Sequence, residues 1–343
     1  MIVAQLVRAP DCGSGGRGFE PRLSPLISPC SELSVGAFLL VSMKRLFLIS
    51  FFAVAVQAAF AQYSFDSTSL ILDLQQLSAD DMEGRKTGTE GSKKARTYII
   101  DHLKKAGVDP FLPGYLQSFA ITQTSGLAQP GDGVNILGVV PGKKKETIVI
   151  SAHYDHLGIR NNTIYNGADD NASGTAALLA MVQYFKKHKP EHKLIFAFFD
   201  AEEMGLRGSA HFVNTLDLQK ENIVLNVNLD MVSRSIKNEL YACGGFRYPE
   251  VKKKIENLKI PNGINLSFGH DDPALSRNDW TYQSDHYNFY KKKIPFIYFG
   301  VEDHPDYHRS TDDFEKVNTS FYLKSVETIL LAIQALDRSL MKN

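Results

Sequence analysis

From residue 193 to residue 205 the chain reads KLIFAFFDAEEMG. Six apolar residues in a row leave no polar face to turn toward water, which is the pattern of a strand covered on both sides in a largely parallel sheet. The run then stops at Asp200 and passes at once into Glu202 and Glu203, so acids stand where a buried strand ends. The same construction recurs on either side. Apolar, β-rich runs lie at 134–140, 147–151, 223–230 and 294–300, and the third of them closes on Asp230. Helical spacing lies at 69–77, 91–105, 173–187, 209–215, 249–258 and 318–340, the second of these followed by Ala106 and Gly107, a suitable helix stop. Strands alternating with helices predict an α/β fold, a three-layer α/β/α sandwich around a mixed, mostly parallel central sheet. The segment DDMEGRKTGTEG between the first two helices reads as a polar loop.

The 343 residues are 43% hydrophobic and 22% charged, an ordinary globular composition. Lys plus Arg and Asp plus Glu balance at 38 each, which leaves no net charge to draw the chain to nucleic acid or an anionic membrane surface. A small molecule or peptide is the more natural partner.

The first 42 residues read as a spurious extension. Their opening, MIVAQLVRAPDCGSGGRGFEPRLSP, has no periodicity and resembles the conceptual translation of a transfer-RNA gene, so the expected start is Met43. Lys44 and Arg45, an apolar run over 46–56 and small residues ending at Ala61 then form a signal peptide over 43–61, its core short for a membrane span. The expectation is an exported, periplasmic or extracellular protein, free of the membrane after cleavage, with residues 62–343 as one domain. Cys12 and Cys30 fall in the leader, which leaves Cys243 as a lone thiol, read as a small buried hydrophobe.

Five pieces carry chemistry: SAHYDHLG, NGADDNASG, FFDAEEMGLRGS, NLDMVS and DYHRSTDD. They supply His153, Asp170, Glu202 with Glu203, Asp230 and His308. Imidazoles with carboxylates, and no thiolate, are a nitrogen and oxygen donor set suited to zinc. Two divalent ions would be neutralised by three carboxylates and a hydroxide, which makes a dry site tolerable and explains the surplus of acids. Taken one at a time the residues have blander readings: His153 as a hydrogen-bonded core histidine, Glu202 and Glu203 as a solvated helix start, Asp230 as a strand-end cap, Asp169 as a cap for the helix that follows.

The five motifs, in this order and spacing, resemble the co-catalytic zinc aminopeptidases of the bacterial leucyl aminopeptidase type, in metallopeptidase clan MH, over roughly residues 77–317. That resemblance implies two zinc ions per chain. His153, Asp230 and one oxygen of Asp170 would hold one, and His308, Glu203 and the other oxygen of Asp170 the second, with the Asp170–Asn171 peptide bond cis. His304 competes with His308, and the family's spacing favours His308. Neighbours in extended chain face opposite sides, so with Glu203 on the metal Glu202 faces elsewhere and is the general base acting on a metal-bridging hydroxide. Asp155 would orient the His153 ring. Tyr307 would bond the tetrahedral oxyanion. The implied reaction is hydrolysis of the amino-terminal peptide bond of peptides with a free amino terminus.

Asp285 and His286 match a recurrent family motif, whereas Gln283 stands where some relatives have an Arg that fixes the substrate. A single-zinc glutaminyl-peptide cyclase is the nearest rival, and a non-catalytic binding ectodomain of the same fold a more distant one. Phe246, Tyr248, Phe268, Trp280, Tyr282 and Tyr287 are candidates for an apolar pocket. Oligomeric state is open.

Overall fold

The computed structural model describes residues 63–121 and 132–339, so the leader readings at 1–42 and 43–61 lie outside the described residues. In chain order the strands are β1 (Asp109–Pro110), β2 (Leu116–Ala120), β3 (Asp132–Val140), β4 (Thr147–His153), β5 (Gly158–Arg160), β6 (Thr163–Tyr165), β7 (Lys193–Phe199), β8 (Ile223–Leu229), β9 (Glu239–Cys243), β10 (Asn265–Phe268) and β11 (Phe296–Gly300). Nine of them form one sheet in the order β1-β3-β7-β4-β8-β11-β9-β10, with β2 also paired to β3. Its centre is parallel, β7 and β8 flanking β4 and β11 following β8. Antiparallel pairs lie outside that centre, at β1, β2 and β7 on β3, and between β11 and β9.

Both faces of the central strands are covered. On β7, Leu194 and Phe196 join Ile148 and Ile150 of β4 in a core shared with the helices Ser67–Leu77, Glu90–Lys105, Gly174–Lys187, Pro249–Ile255 and Thr319–Ser339. The alternate residues Ile195 and Ala197 join Val149 of β4, Phe212 of the helix Arg207–Thr215 and Phe289 of the helix His286–Lys291 in a second core. Successive strand residues point to opposite faces, so a continuous apolar run is what such a three-layer sandwich requires. Replacing Phe196, fully buried, by Ala would cost about 3 to 5 kcal/mol.

The short helices Leu218–Glu221 and His286–Lys291 escaped the helical spacing, while the six helices that it predicts are present with shifted ends. The first begins at Ser67 because the Asp66 carboxylate accepts from the amides of Thr68 and Ser69 at 3.0 and 3.1 Å. Strands β1, β2, β5, β6, β9 and β10 escaped the sequence reading, being short or, like β2, alternating exposed and buried rather than apolar throughout. No helix among the described residues is long and apolar enough to cross a membrane. Cys243 is a free, buried thiol.

Candidate active site

Parallel strands put their carboxyl ends on one side of a sheet, and loops leaving that side gather side chains. His153 is the last residue of β4, Asp230 follows β8, and the pair Glu202 and Glu203 follows β7 after Asp200 and Ala201. Asp170 lies in the distorted turn Ala168–Ser173 that opens the helix Gly174–Lys187, and His308 lies beyond β11. Ala201, Met231 and His308 all hold positive φ, at 57°, 57° and 55°. Non-glycine residues in that region are uncommon and cluster where function fixes the backbone.

The side chains converge around Asp170. His153 Nε2 lies 3.2 Å from Asp230 Oδ1, 3.4 Å from Asp170 Oδ1 and 4.0 Å from Glu202 Oε2. His308 Nε2 lies 3.1 Å from Asp170 Oδ2 and 3.2 Å from Glu203 Oε2. The two oxygens of Asp170 thus face different imidazoles. A further histidine that the sequence reading passed over, His156, sets Nδ1 2.8 Å from Glu203 Oε1 and 3.6 Å from Asp170 Oδ2. Two groups have the proximity to hold a metal ion, His153 with Glu202 and Asp230, and His156 with Asp170 and Glu203.

Protons do part of a cation's work in this cluster. Burial opposes charge on His308, yet its bonds to Asp170 and Glu203 push its pKa up to about 10. Burial raises the Glu202 carboxyl well above the usual range, the His153 charge opposing it and Asp230 and Asp285 adding to it. Burial acts on Glu203 too, but His156 and His308 hold that carboxyl well below the ordinary value. Asp170 Oδ2, Glu203 Oε1 and both ring nitrogens of His156 are buried and crowd together without a well-aligned hydrogen bond. Lone pairs facing one another in a dry site call for a positive charge, so the residues present fit divalent metal.

Each of the three polar residues at 169–171 has its own task. Asp169 accepts from the backbone and hydroxyl of Ser233 at 2.7 and 2.8 Å, and its other oxygen lies 3.1 Å from His304 Nε2. His304 therefore serves Asp169, not the cluster around Asp170. The Asn171 side chain donates to the Leu229 carbonyl at 2.9 Å and accepts from the amide of Gly174 at 2.9 Å, tying the turn to β8. The Asp170–Asn171 peptide bond is cis. Asp312, outside the sequence reading, accepts from the amides of Asp169 and Asp170, each at 3.1 Å.

The supporting residues differ in detail from expectation. His153 Nδ1 sits 3.1 Å from the backbone carbonyl of Asp155 and 3.6 Å from its carboxylate, so the carbonyl fixes the ring and leaves Nε2 to the cluster. The Asp155 carboxylate instead accepts from the amides of Glu202 and Glu203 at 3.0 and 3.3 Å, holding the turn that carries them. Ser284 donates to Asp230 Oδ2 at 2.7 Å. Tyr307 stacks on His308 with ring centroids 4.0 Å apart, and burial beside Asp170 raises its hydroxyl pKa, keeping it a donor. Asp285 is fully buried with neither oxygen paired, and burial pushes it up to about 7.

The segment expected to be a polar loop carries the largest correction. Arg85 within it is fully buried and donates to the carbonyls of Leu77, Tyr154, Asn166 and Gly167 at 2.6 to 3.0 Å. It pins two of the segments that carry the cluster, the one leaving His153 and the one leading to Asp170. Gln283 lies exposed, its amide donating to the Arg277 carbonyl at 3.2 Å. Arg234 and Arg247 are engaged with Asp306 and Asp279, each at 2.7 Å. Of the candidate aromatics, Trp280 is buried in a stack on His270 at 3.8 Å, and Phe246 is exposed.

Comparison with known proteins follows the same lines. The chain is 28% identical over 214 residues to Aminopeptidase YwaD of Bacillus subtilis, covering 58% of this chain and 44% of that protein. It is 26% identical over 306 residues to Leucine aminopeptidase 2 of Trichophyton rubrum, covering 75% and 60%. The chain thus spans less than two thirds of the length of these curated relatives. Among solved structures, BSAP, a zinc aminopeptidase from Bacillus subtilis, superposes with a TM-score of 0.65 at 18% identity, covering 82% of this chain and 98% of that one. A glutaminyl cyclase from Bacteroides thetaiotaomicron superposes with a TM-score of 0.62 at 19% identity, covering 79% and 98%. The model of Peptidase family M28 matches residues 135–333, more than half of the chain and all of the converging side chains, and the chain belongs to that family.

Proposed function

We propose that this chain is an exported zinc aminopeptidase of the dinuclear type that removes residues from the amino termini of peptides. The observation that carries the reading is Asp170, whose Oδ1 faces His153, itself 3.2 Å from Asp230, and whose Oδ2 faces His308, itself 3.2 Å from Glu203, so that one carboxylate stands between two donor sets. Zinc bound in such a site supplies a Lewis acid for the scissile carbonyl and lowers the pKa of water to about 7. Glu202, raised by burial and lying at the edge of the His153 group, takes the proton of the attacking water and delivers it to the leaving nitrogen. The Tyr307 hydroxyl, protonated and stacked beside His308, donates to the oxygen that gains charge. His153 is held for its task by the Asp155 carbonyl, and the Glu202–Glu203 turn by the Asp155 carboxylate.

Export rests on the basic, apolar and small-residue order of 43–61. The cyclase reading draws on the shared fold, and the complete second donor set favours the peptidase. The deciding experiment measures zinc per chain in the purified protein and turns it over against peptides of varied amino-terminal residue, with and without chelator. About two zinc ions with chelator-sensitive release of amino-terminal residues is the expected result. A single zinc ion with cyclisation of amino-terminal glutamine would establish the rival, and a metal-free, inert protein the binding ectodomain.

A further inference from the structure

His156 is a buried histidine whose polar neighbours all belong to the cluster around Asp170. Its ring is almost completely inaccessible, and neither nitrogen makes a well-aligned hydrogen bond. A buried imidazole left unpaired on both sides costs folding free energy unless something else takes a lone pair. Its surroundings state what that is. Nδ1 lies 2.8 Å from Glu203 Oε1 and 3.6 Å from Asp170 Oδ2, and neither oxygen makes a well-aligned hydrogen bond. The His308 ring lies across the same oxygens, its centroid 6.0 Å from that of His156. Gly167 leaves room for the ring here, since a Cβ there would lie 2.5 Å from two of the imidazole carbons.

We propose, building on the two-metal reading, that His156 is a sixth metal ligand, so that the ion on the Glu203 side is held by His156, His308, Glu203 and Asp170. Zinc sites with four protein ligands are closed and structural in character, whereas catalytic zinc keeps a position open. The Glu203 side thus becomes the tight, shielded centre. The His153 side, with His153, Asp230 and the shared Asp170, keeps room for water and substrate. The two ions differ in retention, and partly loaded protein carries its zinc beside His156.

The test uses the zinc-loaded full chain and two readouts independent of turnover. X-ray absorption at the zinc edge counts imidazoles: three over two ions predicts about 1.5 per zinc, against about 1.0 if His156 stands aside. Competition with a chromophoric chelator, followed by metal analysis, should show the wild type releasing one ion readily and keeping the other. His156→Ala should weaken the retained ion by more than about 100-fold, beyond the loss expected for a group that only orients a ligand. A wild-type count near 1.0, or a His156→Ala protein holding both ions as tightly as wild type, overturns the assignment. The wild-type count alone decides the matter if the variant does not fold. Zinc-loaded protein that fails to release amino-terminal residues removes the aminopeptidase reading and leaves this count to judge His156 by itself. Protein that takes up no zinc overturns both.

Discussion

Glu202 and Glu203 are neighbours in sequence and opposites in environment. Burial pushes the first well above the ordinary carboxyl range, while His156 and His308 hold the second well below it against the same burial. A carboxylate that keeps its charge suits a metal ligand, and one that readily holds a proton suits proton transfer. Glu202→Gln keeps shape and removes the titrating oxygen, so turnover on aminoacyl substrates should fall about 100- to 10,000-fold with zinc content unchanged by metal analysis. Full activity in that variant would remove Glu202 from the proton path. At this scale the sequence was legible where ligand-type residues stand at strand ends, as with His153, Glu203 and Asp230, or crowd a helix start, as with Asp170. It was illegible for His156, which follows His153 by three positions and would face the opposite side of an extended chain. The chain leaves β4 at His153 and turns, and that turn brings the second ring round. Arg85 was hidden for a related reason, because a cation in a polar segment gives no sign that four carbonyls will enclose it.

Elements set the precision with which these residues meet. The turn Ala168–Ser173 is packed so closely that the glycines flanking it, Gly167 and Gly174, have no room to change. Gly167 holds φ at 57°, and a Cβ there would meet the Asp170 carbonyl oxygen at 2.0 Å as well as the His156 ring. Gly167→Ala should therefore cost about 1 to 3 kcal/mol in denaturant unfolding and reduce the zinc retained, because the displaced backbone carries Asp170 with it. Unchanged unfolding and zinc content would mean that the turn yields freely. Away from the site, the helix Thr319–Ser339 is fastened to the approach to β7 by Asp337, which accepts from the amides of Glu191 and His192 and from the His192 ring at 2.8 to 3.0 Å. Burial acts to raise this carboxyl, but those bonds prevail and its pKa lies below the ordinary value. A depressed carboxylate adds stability above its unfolded pKa, near 3.9, and that stability is lost as pH falls through the folded value. Asp337→Asn should lose about 1 to 3 kcal/mol at pH 7, with the deficit shrinking below about pH 4. A deficit independent of pH would show that charge plays no part. The long apolar strands were legible because burial on both faces removes alternation, whereas β9 and β10, at the sheet margin, have only short and partly covered runs.

At the scale of the whole molecule the sheet converges carboxylates that a folded protein cannot hold ionised together without a counter-charge. Asp155, Asp170, Glu202, Glu203, Asp230 and Asp285 all approach one another at the carboxyl ends of β4, β7 and β8. An ion bound only by the folded state adds about 4 kcal/mol when its free concentration is a thousandfold above its dissociation constant. For a chain of this length 1 kcal/mol moves Tm by about 1.5 °C, so losing about 4 kcal/mol for each of two ions to chelator should lower Tm by on the order of 10 °C. Restoring zinc should reverse it, and magnesium, which binds imidazole poorly, should not. The stripped protein should also respond to pH in a defined direction. Burial pushes Asp200 and Asp285 up to about 7, so the folded form binds protons between roughly pH 4 and 7 that the unfolded chain does not. Stability then falls as pH rises through that window, which makes metal-free protein more stable at pH 5 than at pH 8. A metal-free Tm equal to the loaded one, or one that rises from pH 5 to pH 8, would show that the converging acids are already neutralised by the protein itself.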